Sequence, residues 1–260
     1  MRDLLTRIAR LTGLAGARCP VCSALTSGGD TPLCPACALA LRPRTRGCCA
    51  LCGDMFGDGN EPGGRKEQGV ENQPDHAQPD TVCGECRLDP PPWDRLHFHG
   101  AYSGPLRDLI IDYKFHGGLH RTRLLVSLAV EAQGRGAAGP PDLILPVPLH
   151  PRRLLWRGYN QSTELARGLG RALQRPVPSN ALVRTRNTVP QLSLDMHQRR
   201  ENIRDAFAAN PAQVAGRSIL LVDDVYTTGA TLTECARTLR RAGAAGLSVL
   251  VLARARREPD

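Results

Sequence analysis

Lysine is scarce in this chain. Of its 34 Lys and Arg residues only Lys66 and Lys114 are lysines, so arginine supplies nearly all of the formal net charge of +9. A dedicated phosphate-neutralising patch and a bias spread over the whole surface both account for such a charge, and the dispersal of the arginines favours the second. Arg240 and Arg241, for example, fall where the last turn of a helix attracts cations. Aromatic residues are also few, at 4%, which offers little for stacking on nucleic-acid bases. No apolar run is long enough to span a bilayer. Leu4, Leu5, Ile8 and Leu11 have helical spacing, but Arg7 and Arg10 interrupt any signal-peptide core. Residues 1–18 therefore read as an amphipathic packing helix; a transit peptide is disfavoured by Asp3.

Cysteine is almost missing from the C-terminal half, where only Cys235 occurs, and concentrated in the first third. Eight of the ten cysteines form four Cys-x-x-Cys pairs: Cys19 with Cys22, Cys34 with Cys37, Cys49 with Cys52, and Cys83 with Cys86. That is unlike a secreted disulfide scaffold and points to a reducing, cytoplasmic location. Each pair can present two thiolates, and two pairs complete a closed tetrahedral Zn²⁺ shell. Structural zinc would supply folding free energy that the local apolar residues cannot. Four pairs in succession favour zinc over redox chemistry. Cys48 is either a bystander or a slipped ligand in place of Cys49. Spacing leaves open whether the pairs combine in order or interleave. His76, His97 and His99 are not needed as ligands.

Composition divides the chain into the helix 1–18, a Cys-, Gly- and Pro-rich module over 19–90 with a polar, aperiodic loop at 57–81, and an α/β domain over 91–260. In the last, Leu96, Phe98, Gly100 and Tyr102 alternate as a strand, Pro105 opens a helix, and Leu124, Leu125, Leu128 and Ala129 mark another. Strands at Leu143–Val147, Ser218–Val222 and Leu247–Leu252 are continuous apolar runs, expected to be buried on both faces. With helices at Thr163–Leu173 and Ala230–Arg241 they predict a parallel sheet flanked by helices. Arg184–Asp205 is a long polar segment. Cys235 lies on the apolar stripe of its helix and is a core residue.

The most informative stretch runs from Ile219 to Thr231. An apolar strand ends in Asp223 and Asp224, and Thr227, Thr228, Gly229, Ala230 and Thr231 lead into a helix. Backbone N–H groups and threonine hydroxyls at a helix N-terminus can wrap a phosphate, with Gly229 allowing close approach. The two acids are placed to hydrogen-bond the vicinal hydroxyls of a ribose whose 5-phosphate fills the turn.

This stretch resembles the thirteen-residue signature of type I phosphoribosyltransferases. The cysteine pairs, Pro91 to Arg95, Lys114 to Gly117, Pro146 to His150, Arg157 to Ser162 and the signature together are similar to the ComF family of competence-associated proteins, which includes GntX-like members. The likeness covers the chain except 57–81. It implies a type I phosphoribosyltransferase fold with an N-terminal zinc-ribbon-like module. It also implies that Val147 to Arg153 is the pyrophosphate loop, with Arg152 and Arg153 as candidate diphosphate contacts and His150 as a substrate-binding residue. Gln191, Leu194, Arg199 and Asn202 match the family's spacing in a segment that corresponds to a mobile lid. Asp223, Asp224 and Arg199 take the catalytic positions, Gln191 and Asn202 substrate-binding ones. Roles for Lys114 and His116 are no better supported than packing.

The implied donor, phosphoribosyl pyrophosphate, loses its pyrophosphate through an oxocarbenium-like transition state, with Mg²⁺ holding the leaving group. Ionisation needs no general base, so the sequence names donor-binding residues and no acceptor. The leading expectation is a phosphoribosyltransferase with an unknown acceptor. The alternative is a non-catalytic competence or DNA-uptake factor that senses phosphoribosyl pyrophosphate or a nucleotide, its zinc module contacting single-stranded DNA or a helicase.

Overall fold

The structure, a computed structural model, describes residues 17–26, 32–43, 47–54, 81–115, 117–135, 139–186 and 202–255. Four strands form its central sheet: β3 (Arg95–Ala101), β4 (Leu143–Pro146), β7 (Ser218–Tyr226) and β8 (Gly246–Arg254). Their order is β3-β8-β7-β4 and every pairing is parallel. The apolar runs explain this, because successive side chains point to opposite faces and both faces must be covered. Ile219 and Leu221 of β7, with Val249 and Val251 of β8, point into one core. Leu220, Val222, Leu250 and Leu252 point into the other.

The second core is closed by α3 (Gly104–Phe115), α4 (Thr122–Gly134) and α6 (Gln161–Leu173). Gly168 permits the close approach of α4 and α6, since a Cβ there would lie 2.3 Å from Val126. The first core is closed by α8 (Ala230–Arg241), whose Leu232, Cys235, Ala236 and Leu239 form the buried stripe. The same core receives Cys48, Cys49, Cys52, Cys86 and Trp93. The second pair of cysteine knuckles thus packs directly on the sheet. Leu96 N–H also donates to Ala50 O at 2.9 Å, and Trp93 Nε1 to Leu51 O at 2.7 Å.

The first two knuckles sit on the other side, around the two-residue strands β1 (Ala17–Arg18) and β2 (Leu25–Thr26) and the helix α1 (Pro35–Ala40). Leu41 joins them to the second core, and its carbonyl accepts from His99 Nε2 at 2.7 Å. A carbonyl cannot donate, so His99 carries its proton on Nε2. Both His97 and His99 are buried, which holds each imidazole below the ordinary histidine pKa.

Several expectations change. Residues 1–16 of the expected N-terminal helix lie outside the described residues, while Ala17 and Arg18 are strand. The loop 57–81 lies outside them except for Thr81, whose carbonyl accepts from Ala50 N–H at 2.9 Å. The strand expected to stop at Val222 continues to Tyr226, because Asp223 and Val225 keep their register with Val251 and Ala253. Arg184–Asp205 is not wholly irregular. Arg184 ends β5 (Leu182–Arg184), which pairs antiparallel with β6 (Phe207–Ala209). The sequence reading also omits the helices α2 (Gly84–Leu88), α5 (Pro151–Arg157) and α7 (Pro211–Val214). Among the described residues no helix is long and apolar enough to cross a membrane.

Candidate functional site

The two acids and the turn after them occupy the C-terminal edge of the sheet, where open α/β sheets bind ligands. Gly229 caps α8 with φ of 76° and is buried. A Cβ at this position would lie 2.2 Å from the ring of Tyr226, so the turn requires glycine. Thr227 is exposed and Thr228 half-buried, its Oγ1 accepting from Ala230 N–H at 3.5 Å. The turn therefore lies on a base of buried aromatic surface with Thr227 open to solvent.

Each acid has its own partner. Lys114, in the last turn of α3, places Nζ 2.9 Å and 3.2 Å from the two oxygens of Asp224. Burial works to lower the lysine pKa, but the Asp224 charge outweighs it and holds Lys114 above its ordinary value. Asp223 Oδ1 accepts from Ser162 Oγ at 2.8 Å and from Asp224 N–H at 2.9 Å. Burial, with the adjacent Asp224 charge, pushes the Asp223 carboxyl up to about 7.

The segment from Arg157 to Ser162 builds the surroundings. Gly158, at φ of 83°, ends α5 in the left-handed conformation. Asn160 caps α6 by accepting from Ser162 N–H at 3.1 Å, while its Nδ2 donates to Val147 O at 3.0 Å. Gln161 Nε2 donates to Lys114 O at 3.1 Å, and Tyr113 OH to Gln161 O at 3.3 Å. Tyr159 OH donates to Tyr113 O. One short segment thus fixes the loop after β4, the backbone at Lys114 and the hydroxyl on Asp223. Sequence reading gave it no such role, because its contacts are with residues far away in the chain.

In the expected pyrophosphate loop, His150 caps α5, accepting from Arg152 N–H at 3.3 Å, and Arg152 is exposed. Arg153 lies near Arg184 of β5, whose pKa is lowered by burial and then by the Arg153 charge. Arg184 is buried, with its guanidinium 5.4 Å from the Phe207 ring centroid, and it was not singled out in the sequence. Asn202 is half-buried beside Ile203. Gln191, Leu194, Arg199 and His116 lie outside the described residues.

None of the ten cysteines is in a disulfide, and eight form two groups of four: Cys19, Cys22, Cys34, Cys37 and Cys49, Cys52, Cys83, Cys86. The pairs therefore combine in order, and Cys48 is outside both groups. Burial, then the neighbouring Cys49, pushes the Cys48 thiol up to about 11. A zinc tetrathiolate with bonds of about 2.3 Å has sulfur–sulfur edges of about 3.8 Å. Here Cys22 Sγ lies 3.6 Å from Cys34 Sγ, and Cys52 Sγ 3.7 Å from Cys83 Sγ. The amides of Leu51 and Cys83 both point at Cys49 Sγ from 3.4 Å. Amide donors to a thiolate, all-sulfur ligands and these separations are compatible with structural zinc.

A parallel sheet covered on both faces, with adjacent acids and a glycine-hinged turn at the C-terminal edge of a central strand, defines an α/β domain of the type I phosphoribosyltransferase kind. In agreement, the family model described as "Phosphoribosyl transferase domain" matches residues 157–260. The "DNA utilization protein YhgH" of Escherichia coli (strain K12) is 40% identical over 176 residues, covering 66% of this chain and 77% of that protein. "Competence protein F" of Haemophilus influenzae is 38% identical over 179 residues, covering 66% and 78%. "Competence protein ComFC" of Bacillus subtilis is 27% identical over 239 residues, covering 86% and 85%. The chain belongs to the ComF family.

Proposed function

We propose that this protein is a DNA-handling factor of the reducing cytoplasm, in which the α/β domain binds phosphoribosyl pyrophosphate or a related nucleotide phosphate as a sensor. The zinc module contacts single-stranded DNA or a helicase. The observation that carries the DNA role is similarity, across three quarters of their length, to proteins named for DNA utilization and competence. What supports the ligand is the edge of the sheet: a turn of Thr227 to Thr231 that only glycine can close, beside two acids able to accept from ribose hydroxyls. Mg²⁺ would accompany a diphosphate and offset its charge. Arg152 and Arg153, with Asn202, Gln191 and Arg199, belong to the same proposed site.

Catalytic transfer of phosphoribose is the second reading. The match of residues 157–260 to the phosphoribosyl transferase domain model favours it. Isothermal titration of phosphoribosyl pyrophosphate with Mg²⁺, followed by Asp224→Ala, tests the ligand. Absence of heat for any ribose 5-phosphate derivative would overturn that part. Pyrophosphate release with a panel of nucleobases separates transferase from sensor. Binding of a single-stranded oligonucleotide that weakens with salt, and is lost on zinc removal, is expected for the DNA role.

A further inference from the structure

Among the described helices α5 alone has no buried residue. Its sequence is Pro-Arg-Arg-Leu-Leu-Trp-Arg, and Leu155 and Trp156 are 85% and 84% exposed. The other tryptophan, Trp93, is 3% exposed, as a core residue is expected to be. Folding therefore gives no reason for Trp156 to be where it is. Phe115, 56% exposed, extends the apolar surface at the end of α3, and the Arg157 guanidinium lies 5.5 Å from its ring centroid. Leu119 is also exposed nearby in sequence.

The charge along the helix has one sign. Arg152, Arg153 and Arg157 lie within the helix, and no acidic residue stands between Asp142 and Glu164. Arg152 and Trp156 are four residues apart, hence neighbours on one face of the helix. An apolar partner covering the ridge would strip the remaining water from its guanidiniums, of which Arg157 already donates to Gln161 Oε1 at 3.2 Å and Arg152 is exposed. An anion satisfies them, and a flat one also uses the indole. A duplex would engage the arginines alone, because its bases are stacked on each other.

On the reading of the protein as a DNA-handling factor, we propose that α5 docks single-stranded DNA, with Trp156 stacked on a base and the flanking arginines on its phosphates. The zinc module is then not the sole nucleic-acid contact. Few aromatics suffice when one of them is held in the open by a helix with no buried residue.

The test uses the zinc-loaded full chain and a fluorescein-labelled 20-mer of deoxythymidine at low salt. Trp156→Ala is expected to weaken binding about tenfold, while Trp156→Phe loses less than about threefold. Thermal midpoints of both variants should match the parent, since no buried contact is removed. With only two tryptophans, quenching of the solvent-exposed emission on adding oligonucleotide, absent in Trp156→Ala, gives a second readout. If the parent binds the 20-mer and Trp156→Ala binds equally well, the docking surface is overturned and the DNA role stands. If the parent binds no single-stranded DNA, the DNA role falls and takes this inference with it. Binding of poly-glutamate, or of vesicles with phosphatidylglycerol, that depends on Trp156 while the 20-mer does not would assign the ridge to an acidic protein or to a membrane surface instead.

Discussion

Asp223 and Asp224 are adjacent, yet their surroundings separate them: a lysine lies on Asp224, and a serine hydroxyl and an amide on Asp223. Asp223 is pushed up to about 7 by burial and by its neighbour's charge. A carboxyl with a folded pKa above its unfolded one binds its proton more tightly when folded. Its stabilising contribution is full below about pH 4 and is lost as pH rises through about 7. Asp223→Asn keeps an oxygen for Ser162 and for the Asp224 amide. It is expected to raise the thermal midpoint at pH 8 by a few degrees and leave it unchanged at pH 4; equal shifts at both would assign the effect to packing. Lys114→Met has the opposite consequence. The Asp224 side chain is 8% exposed, and losing its cation strands a buried charge. Urea unfolding at pH 8 is expected to show a loss of about 2–3 kcal/mol. Most of this should return in the double variant with Asp224→Asn, whereas additive losses would mean that the pair is not coupled.

Between elements, the end of β8 joins the cysteine module to the phosphate turn. Arg254 is 4% exposed, and its Nε donates to Cys52 O at 2.7 Å. Its Nη1 donates to Thr227 O at 3.0 Å, and the guanidinium lies 4.3 Å from the centroid of Tyr226. Tyr226 in turn meets Trp93 edge-on at 6.0 Å and underlies Gly229. Arg254→Met would leave the buried Cys52 carbonyl and the partly buried Thr227 carbonyl without this donor and is expected to cost about 2–4 kcal/mol in urea unfolding. It should also speed zinc release to a chelating dye; an unchanged release rate would show that the knuckle does not depend on this arginine. None of this was legible in the sequence, because the contact joins residues 202 apart. The sheet was legible, since apolar runs such as Leu247–Leu252 carry their burial in every residue. The pair β5 and β6 was not: each is three residues long, with no turn signature between them. Helix α5 was missed for a related reason, as a helix with no buried face has no hydrophobic period. The turn at Gly229 could be read because its chemistry lies within one contiguous segment.

At the scale of the whole molecule the two sets of thiols are not equivalent. Cys19, Cys34 and Cys37 share a small core with Val21 and Leu33, and Cys22 is exposed. Cys49, Cys52 and Cys86 belong to the same core as Trp93, Leu96, Leu221 and Leu239. Metal bound to the first set stabilises a local unit, whereas metal bound to the second is linked to folding of the sheet itself. Cys22→Ser is therefore expected to remove one equivalent of zinc and leave the main unfolding transition nearly in place. Cys52→Ser should remove one equivalent and lower that transition by ten degrees or more. Should Cys52→Ser not fold, the parent still decides the matter through chelation. Two phases of zinc release are expected, with only the slower accompanied by a change in the emission of Trp93, whose indole donates to Leu51 within the knuckle. Loss of both equivalents in a single phase, with the emission following all of it, would mean that the two modules unfold as one.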